Sequence, residues 1–458
     1  MTTQQVPTDE TSMPASANGA ASPEAASDIV TLDFTDPNFM ATAYDTYAEL
    51  RERGRVTKIR FSTGRDDQPP RNAREAFFNR ESYFVTHFDD VVETLLDDRF
   101  SVDPRNLMTS EQERQEQTPD GEEEFRPLAR SLLTIDPPDH TRIRKLVQPS
   151  FTGRGMEAMR GSIQAIVDRL LDQAEQEAEA RGETPGNRRM ELIRQFAYPF
   201  PVTVIGDLLG VPREDRERIR GWTENLLRVD RARDEAAQEE VRQGLRDFTT
   251  YLTELFARKR QQPEDDMISR MVQAEEEGDV LSEEELLATV FLMYLAGHVT
   301  TVNLVGSGVV ALLTHPEELA KLKADPSLAK NVVEETLRYW GPVDFVGRRF
   351  ATEPLEVAGT EIAKGEQVTV SLAAANRDPD RFANPDAFDI TRPDANRHVA
   401  FGKGIHVCLG APLARIEGQI AFETLFRRYP DLRLAVPVEE IVWSGNFLRG
   451  FRQIPVLF

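Results

Sequence analysis

A long apolar stretch near the middle of the chain, bounded by acidic residues, limits the possible folds most. Ser282 followed by Glu285 has the pattern of a capping box, which predicts that a helix begins here. The apolar pattern continues to about Thr314, where His315 and Pro316 predict its end. At about 1.5 Å per residue, such a helix is nearly 50 Å long. The fold must therefore be large enough to surround it.

This stretch could be a membrane span or a buried core helix. By length alone it could cross a membrane, since Phe291–Leu313 has no charged side chain other than a possibly protonated His298. However, both flanks are acidic, no second such stretch occurs, and Thr300, Thr301 and Asn303 interrupt the apolar surface. We therefore predict a helix that is buried on nearly all sides in the middle of a soluble protein.

Composition supports a large soluble protein and excludes several classes. With 458 residues, of which 40% are apolar, the chain is long enough for one large core. A single cysteine excludes a disulfide framework and suits a reducing compartment. A net charge of -23 and a pI near 4.8 argue against a protein that coats nucleic acid or an anionic membrane. We expect a cytoplasmic monomer.

The texture of the chain changes along its length. Residues 1–28 are polar, show no apolar period and lack the features of a signal peptide. We predict a disordered tail there and one large domain over residues 29–458. Helical patterns dominate as far as Ala351, and short alternating runs follow, so the predicted fold class is mainly α with a small β-rich region.

The only cysteine lies in a glycine-rich stretch, Phe401-Gly402-Lys403-Gly404-Ile405-His406-Val407-Cys408-Leu409-Gly410. Glycines allow close backbone approach, and N–H groups at the start of the helix that follows would favour a thiolate. A buried apolar cysteine is the ordinary alternative. A zinc site lacks a second ligand pair, and a dinucleotide loop would need glycine where Val407 stands. The pattern favours haem with Cys408 as axial ligand.

This stretch resembles the haem-binding loop of cytochromes P450, Phe-Gly-x-Gly-x-His-x-Cys-x-Gly, with each fixed position filled. The resemblance covers nearly the whole chain from about residue 34. It implies the cytochrome P450 fold, a single large domain in which the long central helix lies over haem b. The haem-binding positions that it implies in this loop and the next helix are Phe401, Gly402, His406, Cys408, Gly410 and Ala414.

A second resemblance to the family lies in the central helix, at Ala296-Gly297-His298-Val299-Thr300. The two small residues would let a flat ligand press against the helix. Thr300 can bond a carbonyl near Ala296, which by itself is only a structural feature. In the family this threonine steadies dioxygen and relays protons, and Asp or Glu precedes it, whereas here Val299 does. We expect protons to arrive through Thr300, ordered water and either His298 or a substrate hydroxyl.

Basic side chains elsewhere match the family's contacts with the haem propionates. His140 and Arg144 lie four residues apart and share one face of a predicted helix, which could also be an exposed basic face. The resemblance implies that both bind propionate with His406 and Arg349, through charge-assisted hydrogen bonds. Arg348 competes with Arg349 for this role.

Glu335 and Arg338 lie three residues apart on a predicted helix, close enough to pair. On an exposed helix such a pair contributes under ~1 kcal/mol. The resemblance instead implies a buried structural cluster with Arg392 as third member.

The resemblance implies a monooxygenase that inserts one oxygen atom from O2 into a C–H bond of an apolar or amphipathic small molecule. The chain has no flavin or nucleotide motif, so electrons must come from outside, from a ferredoxin and its reductase. The expected docking surface is basic: Arg142, Lys145, Arg397 and Lys403. Predicted pocket walls are the loop 102–130, whose acidic run also suits a solvated loop, the corner 229–234, and Leu292, Val343, Phe345, Val346, Phe447 and Leu448.

Two other functions stay open. Because Val299 replaces the usual acid, the protein could be a haem-thiolate peroxygenase that uses H2O2. A haem-binding sensor or carrier is the non-catalytic alternative, and it would bind small molecules without oxidising them.

Overall fold

The computed structural model describes residues 29–33, 36, 38–62, 81–107, 130–223, 235–274, 281–444 and 448–458. Several predictions fall outside these residues: the tail 1–28, positions 108–129 of the acidic loop, the corner 229–234 and Phe447.

Helices form most of the described part of the chain. They are α1 (Phe39–Arg53), α2 (Phe88–Leu96), α3 (Asp139–Val147), α4 (Gly153–Ala158), α5 (Arg160–Ala180), α6 (Pro199–Leu209), α7 (Arg216–Thr223), α8 (Glu235–Gln261), α9 (Met267–Ala274), α10 (Glu283–Thr314), α11 (Pro316–Ala324), α12 (Ala329–Trp340), α13 (Leu372–Asn376) and α14 (Ala411–Arg428).

The strands form three sheets. They are β1 (Val30–Asp33), β2 (Val56–Ser62), β3 (Glu81–Val85), β4 (Phe100–Ser101), β5 (Arg189–Glu191), β6 (Phe345–Ala351), β7 (Leu355–Val357), β8 (Thr360–Ile362), β9 (Gln367–Ser371), β10 (Arg433–Leu434) and β11 (Pro455–Leu457). The largest sheet has the order β1-β2-β3-β9-β6-β4, the second β10-β11-β5, and the third pairs β7 with β8. The described chain is thus mainly helical with a smaller β region, as predicted.

The central helix α10 begins and ends where the sequence predicts. The hydroxyl of Ser282 accepts from the N–H of Glu285 (3.2 Å), and the carboxylate of Glu285 accepts from the N–H of Ser282 (2.9 Å). Both bonds of the capping box are therefore present. Among the described residues α10 is long and apolar enough to span a membrane, but 67% of its most apolar window is buried inside the protein. It packs against α6, α12 and α14, as a core helix does.

Two local predictions were wrong. The apolar pattern of residues 191–209 predicts one helix, but the structure has the end of strand β5, a π-helical turn (Ile193–Ala197) and α6 there. The nitrogen of Pro199 cannot donate, and a new helix starts at this residue. The apolar positions Tyr47 and Leu50 predict a first helix from Tyr44 to Arg53, but α1 begins at Phe39 because Phe39 and Met40 are also buried.

Candidate active site

The stretch around Cys408 forms a tight loop before α14. The N–H of Cys408 donates to the carbonyl oxygen of Phe401 (2.9 Å) and closes it. Gly402 and Gly404 have φ values of +71° and +74°, which side chains rarely adopt. A Cβ at Gly404 would also lie 2.6 Å from the carbonyl oxygen of Leu95. Conformation and close approach therefore both require glycine at position 404.

The thiol of Cys408 has the predicted backbone donors. N–H groups of Gly410 and Ala411 bond to it at the start of α14. The side chain is accessible to solvent, yet the surrounding protein desolvates it, and this burial raises the pKa of the thiol. The two N–H groups and the charges of Arg144 and Arg415 only partly oppose that rise. The raised pKa disfavours the free thiolate, and coordination to a metal cation would favour it.

Three basic groups lie together near this loop. The charge of Asp136 acts on all three, but its carboxylate is hydrogen-bonded to Ser101 and Asn106 instead. The rings of His140 and His406 are 4.4 Å apart, and the charge of Arg349 acts on His406. His140 Nε2, His406 Nε2 and Arg349 Nη1 are buried without a hydrogen-bond partner. Burial lowers the pKa of Arg349 to about 10 and is the largest of the effects that lower that of His406 to about 4. Buried polar atoms without a partner are rare, so these residues fit a ligand that brings carboxylates, as haem does.

One side of α10 is accessible although most of the helix is buried. Leu292, Ala296, Val299 and Thr300 are all at least partly exposed. At about 100° per residue they project from the same side of the helix. We call these four residues the open stripe. The hydroxyl of Thr300 donates to the carbonyl oxygen of Ala296 (2.7 Å), which confirms the predicted bond.

Comparison with known proteins decides the family. The family model "Cytochrome P450" matches residues 221–433. Cytochrome P450 CYP107DY1 of Priestia megaterium is 44% identical over 382 residues, which are 82% of this chain and 90% of the relative. The chain belongs to the cytochrome P450 family.

Two further relatives agree. Cytochrome P450 monooxygenase PikC of Streptomyces venezuelae is 40% identical over 421 residues, which are 92% of this chain and 92% of PikC. The crystal structure of the myxobacterial P450 CYP267B1 in complex with myristic acid has a TM-score of 0.80 and 40% identity, covering 93% of this chain and 98% of that one. The predicted fold, haem cofactor and class of oxygen-incorporating oxidoreductase are thereby confirmed.

The remaining predicted haem contacts of this P450 lie around the loop. Gly410 is the residue before α14, and Ala414 lies half-buried in its first turn. Phe401 packs under the guanidinium group of Arg415, 4.6 Å from the ring centre. Arg144 donates instead to the carbonyl oxygens of residues 405 and 407, 2.8 Å away in both cases, and so supports the loop from outside. The side chain of Arg348 is not among those described.

His298 does not belong to the open stripe. It lies about 200° around the helix from Thr300. Its Nδ1 donates to the carbonyl oxygen of Tyr294 (2.6 Å), and its ring packs edge-on against Tyr294 and Tyr198. Burial lowers the pKa of His298 to about 4. A proton route through this residue is therefore not supported by its position.

The two small residues of the helix motif have different surroundings. Ala296 is exposed on the open stripe. A Cβ at Gly297 would lie 3.0 Å from the side chain of Ile205 in α6, so glycine here lets the two helices approach closely. Only Ala296 is placed to leave room for a flat ligand.

The sequence reasoning missed a buried acid, Glu417 of α14. It is 1% exposed, its Oε2 lies 3.4 Å from the hydroxyl of Thr301, and its Oε1 has no partner. Burial raises the pKa of Glu417 to about 8, so the protonated carboxylic acid is its main form at pH 7. Its signal in the sequence is a lone charge among apolar positions, between Ile416 and Ile420 of the buried face.

Glu335, Arg338 and Arg392 form one buried cluster. The two carboxylate oxygens of Glu335 accept from Nε and Nη2 of Arg338, both at 2.8 Å. Nε of Arg392 donates to the same carboxylate from 3.2 Å. The cluster connects α12 to the segment that precedes the Cys408 loop.

Three of the predicted pocket walls lie in or beside the large sheet, and Leu448 pairs with one of them. Val343 and Leu448 form an isolated antiparallel bridge, Phe345 stacks on Phe61 with ring centres 5.0 Å apart, and Val346 pairs with Val370 in the large sheet.

Of the four cations predicted for docking, Arg142 is bonded to Glu285. The other three are exposed: Lys145, Arg397 and Lys403.

Proposed function

We propose that this P450 hydroxylates or epoxidises an apolar or amphipathic small molecule, with electrons from an external ferredoxin and its reductase. The observation that carries the proposal is the open stripe, where apolar side chains adjoin the hydroxyl of Thr300 on a mostly buried helix. Haem bound through Cys408 supplies the oxygen chemistry, since a thiolate ligand favours O–O cleavage. The protein itself has to bind the substrate, exclude water and deliver protons.

The three unpartnered basic groups would hold the haem carboxylates. His406 donates from Nδ1 to the carbonyl oxygen of Leu132, so its Nε2 becomes a donor only when the ring is protonated. A carboxylate nearby favours that protonated form and would offset the burial that lowers the pKa. Arg349 needs no such change because it stays charged.

Glu417 is the best candidate for the proton source that Val299 cannot provide. It is neutral at pH 7, it contacts Thr301, and Thr301 is the neighbour of Thr300 in the chain. We assign to Glu417 the role of resupplying a proton to the hydroxyl groups of the helix. His298 faces away and has no part in this route.

The fraction of NAD(P)H electrons that ends as hydrogen peroxide tests this assignment. Glu417→Gln keeps the shape and removes the acid, so this fraction should rise, and Val299→Glu in the same background should lower it again. Glu423→Gln, on the same helix, is the control and should leave it unchanged. If the fraction of electrons lost as hydrogen peroxide is the same in Glu417→Gln as in the wild type, Glu417 is not the proton source.

The substrate class follows from the apolar stripe and walls. Substrate binding should shift the Soret band of the haem-loaded protein, and we expect this shift from fatty acids near the length of myristic acid or from macrolactones, steroids or terpenoids. If a compound that binds is afterwards recovered with one oxygen atom from labelled O2, the monooxygenase activity is established. Binders that are never oxidised would favour the sensor or carrier function instead.

Val299 also supports a second candidate function, peroxygenation, since H2O2 brings both oxygen atoms and the protons. Product formation with H2O2 alone, faster than with ferredoxin and reductase, would favour it. Slower turnover with peroxide favours the monooxygenase.

The exposed cations Lys145, Arg397 and Lys403 form the proposed docking surface for an acidic ferredoxin. Reduction by ferredoxin should slow as salt is added, and Lys403→Glu should slow it at low salt. An unchanged rate would place docking elsewhere. We further propose that the protein acts as a cytoplasmic monomer.

A further inference from the structure

A buried ion pair joins the two segments that carry predicted pocket walls. Nε of Arg449 donates to Oδ1 of Asp344 (2.9 Å), and Nη2 donates to Oδ2 (2.7 Å). Arg449 is 0% and Asp344 1% exposed. Such a two-point contact fixes orientation as well as distance.

Helix α1 holds this pair from a third side. The hydroxyl of Tyr47 donates to Oδ2 of Asp344 (3.0 Å), and Nη1 of Arg449 donates to the carbonyl oxygen of Met40 (2.8 Å). Each charged group is therefore bonded beyond its partner, and neither can swing away without leaving buried polar atoms unpaired.

The pair and the walls belong to the same short ladder. Val343 bridges Leu448, and the N–H of Arg449 donates to the carbonyl oxygen of Pro342 (2.9 Å). Side chains alternate along extended segments, so Val343 and Leu448 point to the side opposite the ion pair. The position of the walls is thus tied to the position of the charges.

The ladder ends against α10. A Cβ at Gly450 would lie 2.2 Å from Oδ1 of Asn303, so this backbone is pressed onto the helix. Asn303 follows Val299 by four residues and therefore continues the side of α10 that carries the open stripe. The Val343–Leu448 bridge consequently lies at the C-terminal end of that stripe.

We infer that the Asp344–Arg449 pair sets the width of the substrate space, by holding the Val343–Leu448 bridge at a fixed distance from α10. It is a positioning pair and touches neither substrate nor haem. The inference rests on the proposed function, in which the substrate lies along the open stripe. It predicts that loss of the pair weakens the binding of bulky ligands and leaves the binding of small ones unchanged.

The test uses the haem-loaded double variant Asp344→Asn/Arg449→Gln, which removes both charges and keeps polar groups that can bond. Two azoles are titrated by difference spectroscopy: imidazole, which needs only the iron, and clotrimazole, which fills the space beyond it. We expect the dissociation constant of imidazole to stay within about twofold, and that of clotrimazole to rise about tenfold, equivalent to ~1.4 kcal/mol.

Lys259→Gln/Asp266→Asn is the matched control, because it removes another buried ion pair (2.6 Å), between α8 and the residue that precedes α9. It should leave the ratio of the two constants unchanged. Equal shifts for both azoles, or none, in Asp344→Asn/Arg449→Gln would overturn the inference. If that variant does not fold, Arg449→Lys, which keeps the charge but not the two-point contact, is judged by the same ratio.

The two failures are distinguishable. Reduced haem with a thiolate ligand gives a characteristic absorption band when carbon monoxide binds. Absence of this band in the wild type would remove the proposed function. A normal band with size-independent azole binding would remove only the role of Asp344 and Arg449.

Discussion

Replacing Glu335 with alanine tests whether its cluster holds together the part of the protein that binds haem. The side chain is 0% exposed and accepts three hydrogen bonds from Arg338 and Arg392 and one from the backbone N–H of Asp389. Alanine removes all of these and leaves two buried guanidinium groups without the carboxylate that they share.

The expected loss of stability is ~3–5 kcal/mol, the usual cost of removing one partner of a buried ion pair. Both arginines retain bonds to backbone carbonyl oxygens, for example Arg338 to Pro385 and Arg392 to Ala383, so the loss is mainly one of charge compensation. Folded domains have a margin of only ~5–15 kcal/mol. Glu335→Ala should therefore yield little protein with bound haem.

The assay is the ratio of haem to protein absorbance after purification, together with the melting temperature of any soluble material. Glu81→Ala is the control, because Glu81 pairs with Arg60 on the surface, where the side chains are 44% and 39% exposed. That change should cost under ~1 kcal/mol. Soluble, haem-loaded Glu335→Ala that melts as high as Glu81→Ala would refute the reasoning.

Three further predictions concern the site itself. The pKa of Glu417 rises on folding from 4.5 to about 8, so the folded protein binds this proton more tightly and stability must fall as pH rises through that window. Melting temperatures between pH 6.5 and 8.5, above the range of the buried histidines, should therefore vary less in Glu417→Gln than in the wild type. Gly404→Ala should abolish haem binding, whereas Gly402→Ala, with a similar φ but no atom within 4 Å of the new Cβ, should retain it; haem absorbance distinguishes them. His406→Leu should weaken haem affinity by about 10–100-fold, the usual effect of losing such a supporting contact, measured by haem transfer to an acceptor protein.

Each of these has an outcome that contradicts it. A pH profile of Glu417→Gln parallel to the wild type would mean that this acid is ionised in the fold. Equal haem content in the two glycine variants would mean that the contact with Leu95 is not limiting. An unchanged rate of haem transfer from His406→Leu would mean that His406 is not one of the groups that hold the haem carboxylates.

Sequence reasoning predicted best where local rules act alone. The capping box at Ser282 and the bond from Thr300 to Ala296 depend on residues three or four apart, and both are present. The start of a new helix at Pro199 was not predicted, because the strand β5 that precedes it is stabilised by pairing with β11, a contact across more than 260 residues. Likewise, nothing near Asp344 in the sequence indicates Arg449 as its partner.

The positions of Val299 and Glu417 explain each other physically. An acid at 299 would lie on the open stripe, partly exposed, where a carboxyl group ionises at neutral pH and interrupts an apolar surface. Glu417 is buried on the other side of Thr301, where burial keeps its proton and where no substrate has to pass. Separating the acid from the stripe therefore leaves Leu292, Ala296 and Val299 as a continuous apolar wall. Under the proposed function, an apolar substrate and a protonated acid can then lie close to the same turn of α10 without contact between them.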